Sequence, residues 1–381
     1  MSQPAVKVGI VGFGSIARSH LSALRALPAT RPLAVRPVVS VIVTDRPDQV
    51  RPEAAALGIE RVVETLTEAL QDPELQLLDV TSRNDRHAAQ AREVLRAGRA
   101  VYVEKPVGRT AEEAHALAEL AVDAPAVAQP GLVMRYEPAV VRAAALVRAG
   151  AIGQVVHGYL ANLHGSYLNP ARPMSWRLRR SIAGGGAMLD LGVHPLDVVR
   201  LVLGEPVLVS AAARTVIRER PVQDGAREAV DVDDWARAEL AVGDARITVE
   251  ASRVSLGAEG MPFQLFGTEG SLVGDLAAGG LQLGRFDGAE ATFEVDAARD
   301  PLLRVVEDLR PPSRLTLGAF VDLHAAAVHH ALLRVAGVDP APGLAPTMAD
   351  AAVAERLAHD IVAAGMRTEG GSLADVGARL S

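Results

Sequence analysis

Residues 8–17 read Val8-Gly9-Ile10-Val11-Gly12-Phe13-Gly14-Ser15-Ile16-Ala17. An apolar strand pattern over 6–11 runs into Gly12, and helical spacing starts at Ser15, with Ile16, Leu21, Leu24 and Leu27 apolar. Glycines at 12 and 14, with Ala17 third, give G-x-G-x-x-A between a strand and a helix. Gly12 permits the tight turn, Gly14 lets a pyrophosphate approach the backbone, and Ala17 lets helix and strand pack closely. The amides of the first helical turn then point at the phosphates. Taken alone, the stretch fits either a dinucleotide cradle or an ordinary strand-to-helix turn. As a cradle, Gly12, Phe13, Gly14, Ser15 and Ile16 are its expected cofactor contacts.

The residues that follow favour the cradle. A second strand, VVSVIVTD, ends at Asp45, where a carboxylate can accept hydrogen bonds from an adenosine ribose; the other reading of Asp45 is a turn residue. The gap from Gly14 exceeds the usual spacing of about 20 residues, and the Pro/Arg-rich loop at 28–37 accounts for the excess. Asp45 favours NAD, because it repels a 2′-phosphate. Arg46 suits stacking on adenine or pairing with such a phosphate, which keeps NADP as the alternative. Strands are expected at 75–82, 100–104 and 127–133, with helices at 85–96 and 110–122. The latter opens on a Thr110/Glu113 capping box. Strands alternating with helices specify a doubly wound parallel sheet.

After about residue 135 the pattern changes. A helix over 137–149 precedes strand-like runs at 154–163, 206–218, 235–242, 245–254 and 262–266, with hairpin-type loops in AVGDARI and FGTEGSL. Helices are expected near 187–203, 317–336 and 347–365. The expected fold is α/β: a Rossmann domain over 1–130 and a second α/β domain over 131–381 built on a mostly antiparallel sheet.

The chain has 381 residues, a formal net charge of −7 and no cysteine. The acidic balance argues against nucleic acid or an anionic membrane as partner. Without cysteine there is no disulfide, thiolate nucleophile or thiolate metal site. The opening residues lack the pattern of a secretory signal, and no apolar run is long enough to span a bilayer. A soluble cytoplasmic protein is expected. Of 39 lysines and arginines only Lys7 and Lys105 are lysines. Where arginine replaces lysine so freely, a retained lysine reads either as a need for an amine that exchanges a proton near neutral pH or as a chance survivor.

Lys105 stands in Glu104-Lys105-Pro106, at the carboxyl end of an expected strand, where doubly wound sheets bind ligands; the other reading of the tripeptide is an exposed loop lysine. A second candidate segment is Gly184-Gly185-Gly186-Ala187-Met188-Leu189-Asp190-Leu191-Gly192-Val193-His194. A triple glycine permits close approach to a ligand or to another strand. Asp190 and His194, four apart, share a helix face. The pair reads either as helix stabilisation or as a carboxylate that orients a histidine base. Pro195 is expected to distort the helix there. No metal site is expected: His329-His330 are adjacent and lack ligand spacing.

The ordered set VGIVGFGSIA, Asp45, AGRAVYVEKP, MRYEP, AGAIGQV, GGGAMLDLGVHPLD and FGTEGSL resembles the Gfo/Idh/MocA family, the glucose–fructose oxidoreductase and inositol dehydrogenase relatives. The resemblance implies a Rossmann domain followed by a domain whose large open sheet often forms an oligomer interface, hence a homo-oligomer, dimer or tetramer. It implies hydride transfer between NAD and a sugar, inositol or related polyol. Lys105 would be the catalytic lysine, with Asp190 and His194 as partners and Glu104 beside the cofactor. The family's T-P-N-x-x-H loop corresponds to Ser82-Arg83-Asn84-Asp85-Arg86-His87. Ser82 and Arg83 depart from the pattern, and Asn84 and His87 are retained. Trp176-Arg177 resembles a pair near the nicotinamide or substrate; aromatic packing is its other reading. The loop 164–180 offers His164, Tyr167, Asn169, Arg172 and Arg177 to a polyol. Two other activities occur among such relatives: NAD-dependent glycosidases that work by transient oxidation, and regulators that bind nucleotide without turnover. The intact Lys105, Asp190 and His194 argue against a regulator.

Overall fold

The computed structural model describes residues 4–285, 291–292 and 300–368. The first eleven elements are β1 (Ala5–Val11), α1 (Ser15–Thr30), β2 (Arg36–Val43), α2 (Pro47–Ala56), β3 (Arg61–Val63), α3 (Leu66–Leu70), β4 (Leu75–Val80), α4 (Asn84–Arg96), β5 (Ala100–Val103), α5 (Ala111–Asp123) and β6 (Ala128–Pro130). The six strands are parallel and ordered β3-β2-β1-β4-β5-β6, the doubly wound Rossmann arrangement expected from the alternation. The cap of α5 differs in one detail. Thr110 accepts from the Glu113 amide at 3.2 Å, and the Glu113 carboxylate takes the amide of Arg109, not that of Thr110.

The next elements are α6 (Pro138–Arg148), β7 (Val155–Leu163), α7 (Arg180–Ala183), α8 (Val193–Leu203), β8 (Val207–Arg214), β9 (Glu219–Pro221), β10 (Arg227–Ala229), β11 (Trp235–Val242), β12 (Ala245–Ser252), β13 (Pro262–Gly267), β14 (Gly270–Asp275), β15 (Gly280–Arg285) and β16 (Ala291–Thr292). Eight strands form one sheet in the order β16-β15-β14-β13-β7-β12-β11-β8, and β9 and β10 form a separate ribbon. Among the described strands every neighbouring pair of the large sheet is antiparallel except β7 with β12. The expected run 206–218 is divided, because β8 pairs with β11 while β9 turns away to pair with β10.

The chain then continues through α9 (Pro301–Leu309), α10 (Ala319–Val335) and α11 (Met348–Thr368). It divides into two compact units: Met1–Val141 with Val295–Val353, and Arg142–Glu294 with Ala354–Ser381. A single boundary between 130 and 131 does not describe this. The reason lies in packing: the Rossmann sheet needs both faces covered. One face carries α4 and α5, whose Ala91, Val94, Leu95, Ala114 and Leu117 pack on Val101 and Val103 of β5. On the other face α1 lies beside α10, with Ala23 and Leu27 against Ala325.

Candidate active site

The glycine turn has the geometry of a phosphate cradle. Gly12 sits at φ +90°, and a Cβ there would lie 2.8 Å from the Ser82 Cα, so only glycine fits against the loop after β4. Gly14 has no heavy atom within 4 Å of an added Cβ, which leaves its surface open. The first turn of α1 carries no acidic residue and no side-chain cap, and its amides lack intrahelical acceptors. Ser15 is exposed and Ile16 half-buried there, while Phe13 is buried with the Arg18 guanidinium 4.5 Å above its ring. These residues fit a dinucleotide pyrophosphate, because an anion would meet free amides and no opposing charge.

Asp45 stands just beyond β2, exposed, with Arg86 Nη1 3.2 Å and Arg46 Nε 3.7 Å from its carboxylate. Arg86 is a partner that local patterning did not suggest. In the loop after β4, Ser82 donates to Gln90 at 2.6 Å and Asn84 begins α4, half-buried. His87 is buried, with Nδ1 2.7 Å from the Pro106 carbonyl and Nε2 2.9 Å from the Ser82 carbonyl. Burial pushes its pKa below the usual value against the pull of these carbonyls. Its ring braces the Ser82 turn against Pro106 and is not open to a ligand.

Lys105 leaves the carboxyl end of β5, half-buried, and its bond to Pro106 is cis. Glu104 points inward. Val101 and Val103 face the α4/α5 side, and alternation turns Tyr102 and Glu104 toward α1 and α10. There the Glu104 carboxylate lies 3.3 Å from His20 Nε2 and 3.5 Å from His324 Nδ1. His20 Nδ1 in turn meets Asp79 at 2.9 Å. Burial pulls the His20 pKa down, but Asp79 and then Glu104 outweigh it and carry it up to about 10. Burial raises the Glu104 carboxyl, and the two histidines overcome this, holding it at about 2. Glu104 therefore anchors the strand end from which Lys105 departs.

In the second unit the triple glycine serves backbone approach. A Cβ on Gly186 would lie 1.9 Å from the Asp233 carbonyl oxygen. The Asp233 carboxylate accepts from the amides of Gly186 at 2.9 Å and Met188 at 2.8 Å, holding the turn that enters the next helix. Residues Met188–Gly192 form one π-helical turn before α8. Asp190 and His194 thus sit on successive turns of different pitch, with Pro195 in the first turn of α8. The Asp190 carboxylate receives Arg253 Nη2 at 2.9 Å; Arg253 is 3% exposed and Asp190 30%. Burial lowers the Arg253 pKa, but Asp190 and Tyr167 more than compensate, and it rises above its usual value. Tyr167 carries the guanidinium carbons of Arg172 at 4.0 Å and Arg253 at 5.0 Å from its ring centre. His194 is half-buried. Trp176 and Arg177 stack on each other at 4.4 Å, so the pair is at least self-packed.

Sequence reasoning missed Asp233 and Arg253. The one available signal was a charge at each end of otherwise alternating strands: Asp233-Asp234 before β11 and Arg253 after β12. Among the described residues no helix is long and apolar enough to cross a membrane.

Comparison with known proteins bears on both units. Residues 6–132 match the oxidoreductase family with an NAD-binding Rossmann fold, and residues 140–273 match the GFO/IDH/MocA C-terminal domain. The levoglucosan dehydrogenase of Pseudarthrobacter phenanthrenivorans is 32% identical over 289 residues, 70% of this chain and 73% of that protein. The 1,5-anhydro-D-fructose reductase of Ensifer adhaerens is 30% identical over 271 residues, 70% of this chain and 74% of that protein. A solved levoglucosan dehydrogenase, in complex with NADH and L-sorbose, superposes with a TM-score of 0.85 at 29% identity, covering 96% of this chain and 97% of that one.

Proposed function

The chain belongs to the Gfo/Idh/MocA family of NAD-binding oxidoreductases, and from that premise we propose that Lys105, Asp190 and His194 carry hydride transfer at a secondary alcohol of a cyclic sugar or inositol. When bound, the nicotinamide takes up or gives back the hydride at its C4. His194 accepts the hydroxyl proton as the alcohol is oxidised and returns it in reduction. Lys105 donates a hydrogen bond to the reacting oxygen, where alkoxide charge develops. Asp190, itself held by Arg253, positions the histidine turn.

The cofactor is assigned to the open face of Gly14 and the amides of α1, with Asp45 and Arg46 at the ribose end and Ser82 and Asn84 beside it. The relatives named for levoglucosan, 1,5-anhydro-D-fructose and scyllo-inositol support a ring substrate with several hydroxyls. Tyr167 with Arg172, and Trp176 with Arg177, are suited to it by their polar edges and flat faces. A homo-oligomer belongs to the same proposal. Its support is the family resemblance and the exposed Val207 and Val209 on β8, at 67% and 52%. A cytoplasmic location is part of the same proposal.

The observation that carries the reading is the open cradle at Gly14 together with Lys105 at the end of β5, in a chain whose two halves both match the family. The test is a panel of anhydro sugars, inositols and aldoses with NAD and NADP, followed at the NADH absorbance. Turnover of a ring polyol with NAD supports it. Release of aglycone from chromogenic glycosides with no net NADH favours the glycosidase reading instead.

A further inference from the structure

Three donor atoms from distant parts of the chain converge inside the first unit: His20 Nε2 on α1, Glu104 Oε1 after β5, and His324 Nδ1 on α10. The two nitrogens are 2.9 Å apart, and the oxygen lies 3.3 Å from one and 3.5 Å from the other. All three residues are buried. A triangle of this size has a point about 2 Å from every corner, the bond length of zinc to imidazole nitrogen or carboxylate oxygen.

The surroundings orient the corners. Asp79 engages His20 Nδ1 at 2.9 and 3.1 Å, which turns Nε2 into the triangle. A carboxylate behind a ligating histidine is the usual support of a metal site. Glu104 Oε1 is buried and accepts no aligned hydrogen bond from the described residues. Tyr102, whose ring packs edge-on to His20 at 5.5 Å, also has a buried hydroxyl with no hydrogen-bond partner among them.

Two N–H groups cannot both point into a 2.9 Å contact between nitrogens, so at least one of His20 Nε2 and His324 Nδ1 turns a lone pair toward the point between them.

We propose that His20, Glu104 and His324 form a structural site for a divalent transition metal of the zinc class. Two imidazoles and one carboxylate suit zinc and its neighbours, whereas magnesium and calcium take oxygen donors. The ion ties α1, the exit of β5 and α10 together, and so fixes the backbone from which Lys105 leaves. It has no step in the hydride chemistry.

The test uses the full chain, stripped with a chelator and checked for a cooperative melt. It is then titrated with Zn²⁺ against a chromophoric chelator and with Co²⁺ by visible absorption. One equivalent per chain, a Co²⁺ visible spectrum of low coordination number and a raised melting temperature are expected. His324→Gln and, separately, His20→Gln should each weaken zinc binding by more than ~100-fold, and Asp79→Asn by about 10–100-fold. His330→Gln, on the same helix but outside the triangle, should leave it unchanged. Failure to take up a stoichiometric equivalent overturns the proposal. So does uptake that is as tight in a folded His324→Gln or His20→Gln protein, since that ion would be held elsewhere.

Discussion

Replacing Arg253 by methionine keeps most of the stem and removes the charge that Asp190 faces. The guanidinium is almost fully buried and its 2.9 Å contact is charge-assisted. A hydrogen bond of this kind contributes about 1.5–3 kcal/mol, and breaking a fully buried pair costs about 3–5 kcal/mol. Asp190 is 30% exposed and can recover water, which places the loss near the lower figure. The contact with Tyr167 at 5.0 Å adds about 0.5–1 kcal/mol. The assay is chemical unfolding of the parent, Arg253→Met, Asp190→Asn and the double variant. An interaction energy of roughly 1.5–3 kcal/mol is expected from the cycle. Steady-state kinetics should show kcat falling more than KM rises, because Asp190 is displaced without loss of substrate contacts. Additivity within about 0.5 kcal/mol, with kcat unchanged, would refute the assignment of Arg253 as the residue that positions Asp190.

Two glycines make a contrasting pair. Gly186→Ala puts a Cβ 1.9 Å from the Asp233 carbonyl and should cost about 2–3 kcal/mol or more, read as a lower melting temperature; Gly14→Ala meets nothing within 4 Å and should melt normally while losing NADH affinity in a fluorescence titration. Asp45→Ala should shift the NAD to NADP preference toward NADP by about tenfold or more, measured as the ratio of kcat/KM for the two cofactors; an unchanged ratio would remove Asp45 from the ribose site. Acid stability follows from His329 and His330, both held below their usual value of 6.5 by burial. For His330, Asp339 pulls upward and Arg334 downward, beside the Tyr136 hydroxyl; for His329, the Leu309 carbonyl pulls upward and Arg31 and His330 downward. The unfolded chain takes up these protons first, so their contribution is complete above pH 6.5 and is lost as pH falls below it. His20, raised to about 10, gains stability as pH falls over the same window, so the sign is read from a difference: the melting temperature of the parent should fall further between pH 7 and 5 than that of His329→Phe, and an equal fall in both would contradict it.

The Rossmann half was legible because its signals are local. Each strand, turn glycine and cap lies within a few residues of the next, and the parallel order follows from right-handed crossovers. The second half was legible as strands but not as pairings. Nothing in VVHGYLANL shows that it lies parallel to ARITVEAS, some 90 residues on. The hairpin loop FGTEGSL pointed to β13 and its return strand, while α9 and β15 went unread. The return of α10 onto the Rossmann sheet was also hidden, since an apolar helix does not name the face it covers.

The same distance effect governed the site. Lys105, Asp190 and His194 stand in short motifs and could be singled out. Asp233 and Arg253 act through backbone amides and a carboxylate 45 to 63 residues away. The polar residues under α1 and α10 did leave a trace. Strands buried on both faces should be almost wholly apolar, yet Asp79, Tyr102 and Gln129 interrupt three adjacent ones, and Glu104 follows β5 on the same face as Tyr102. Such interruptions mark a buried polar layer before its partners, His20 and His324, are known.

The most direct test of the central claim is the initial rate of NADH formation from levoglucosan and from inositols, compared between the parent and Lys105→Met. Oxidation of at least one ring polyol by the parent is predicted, with a loss of about 10²-fold or more in kcat for the variant and an unchanged melting temperature. A variant that turns over as fast as the parent would contradict the account.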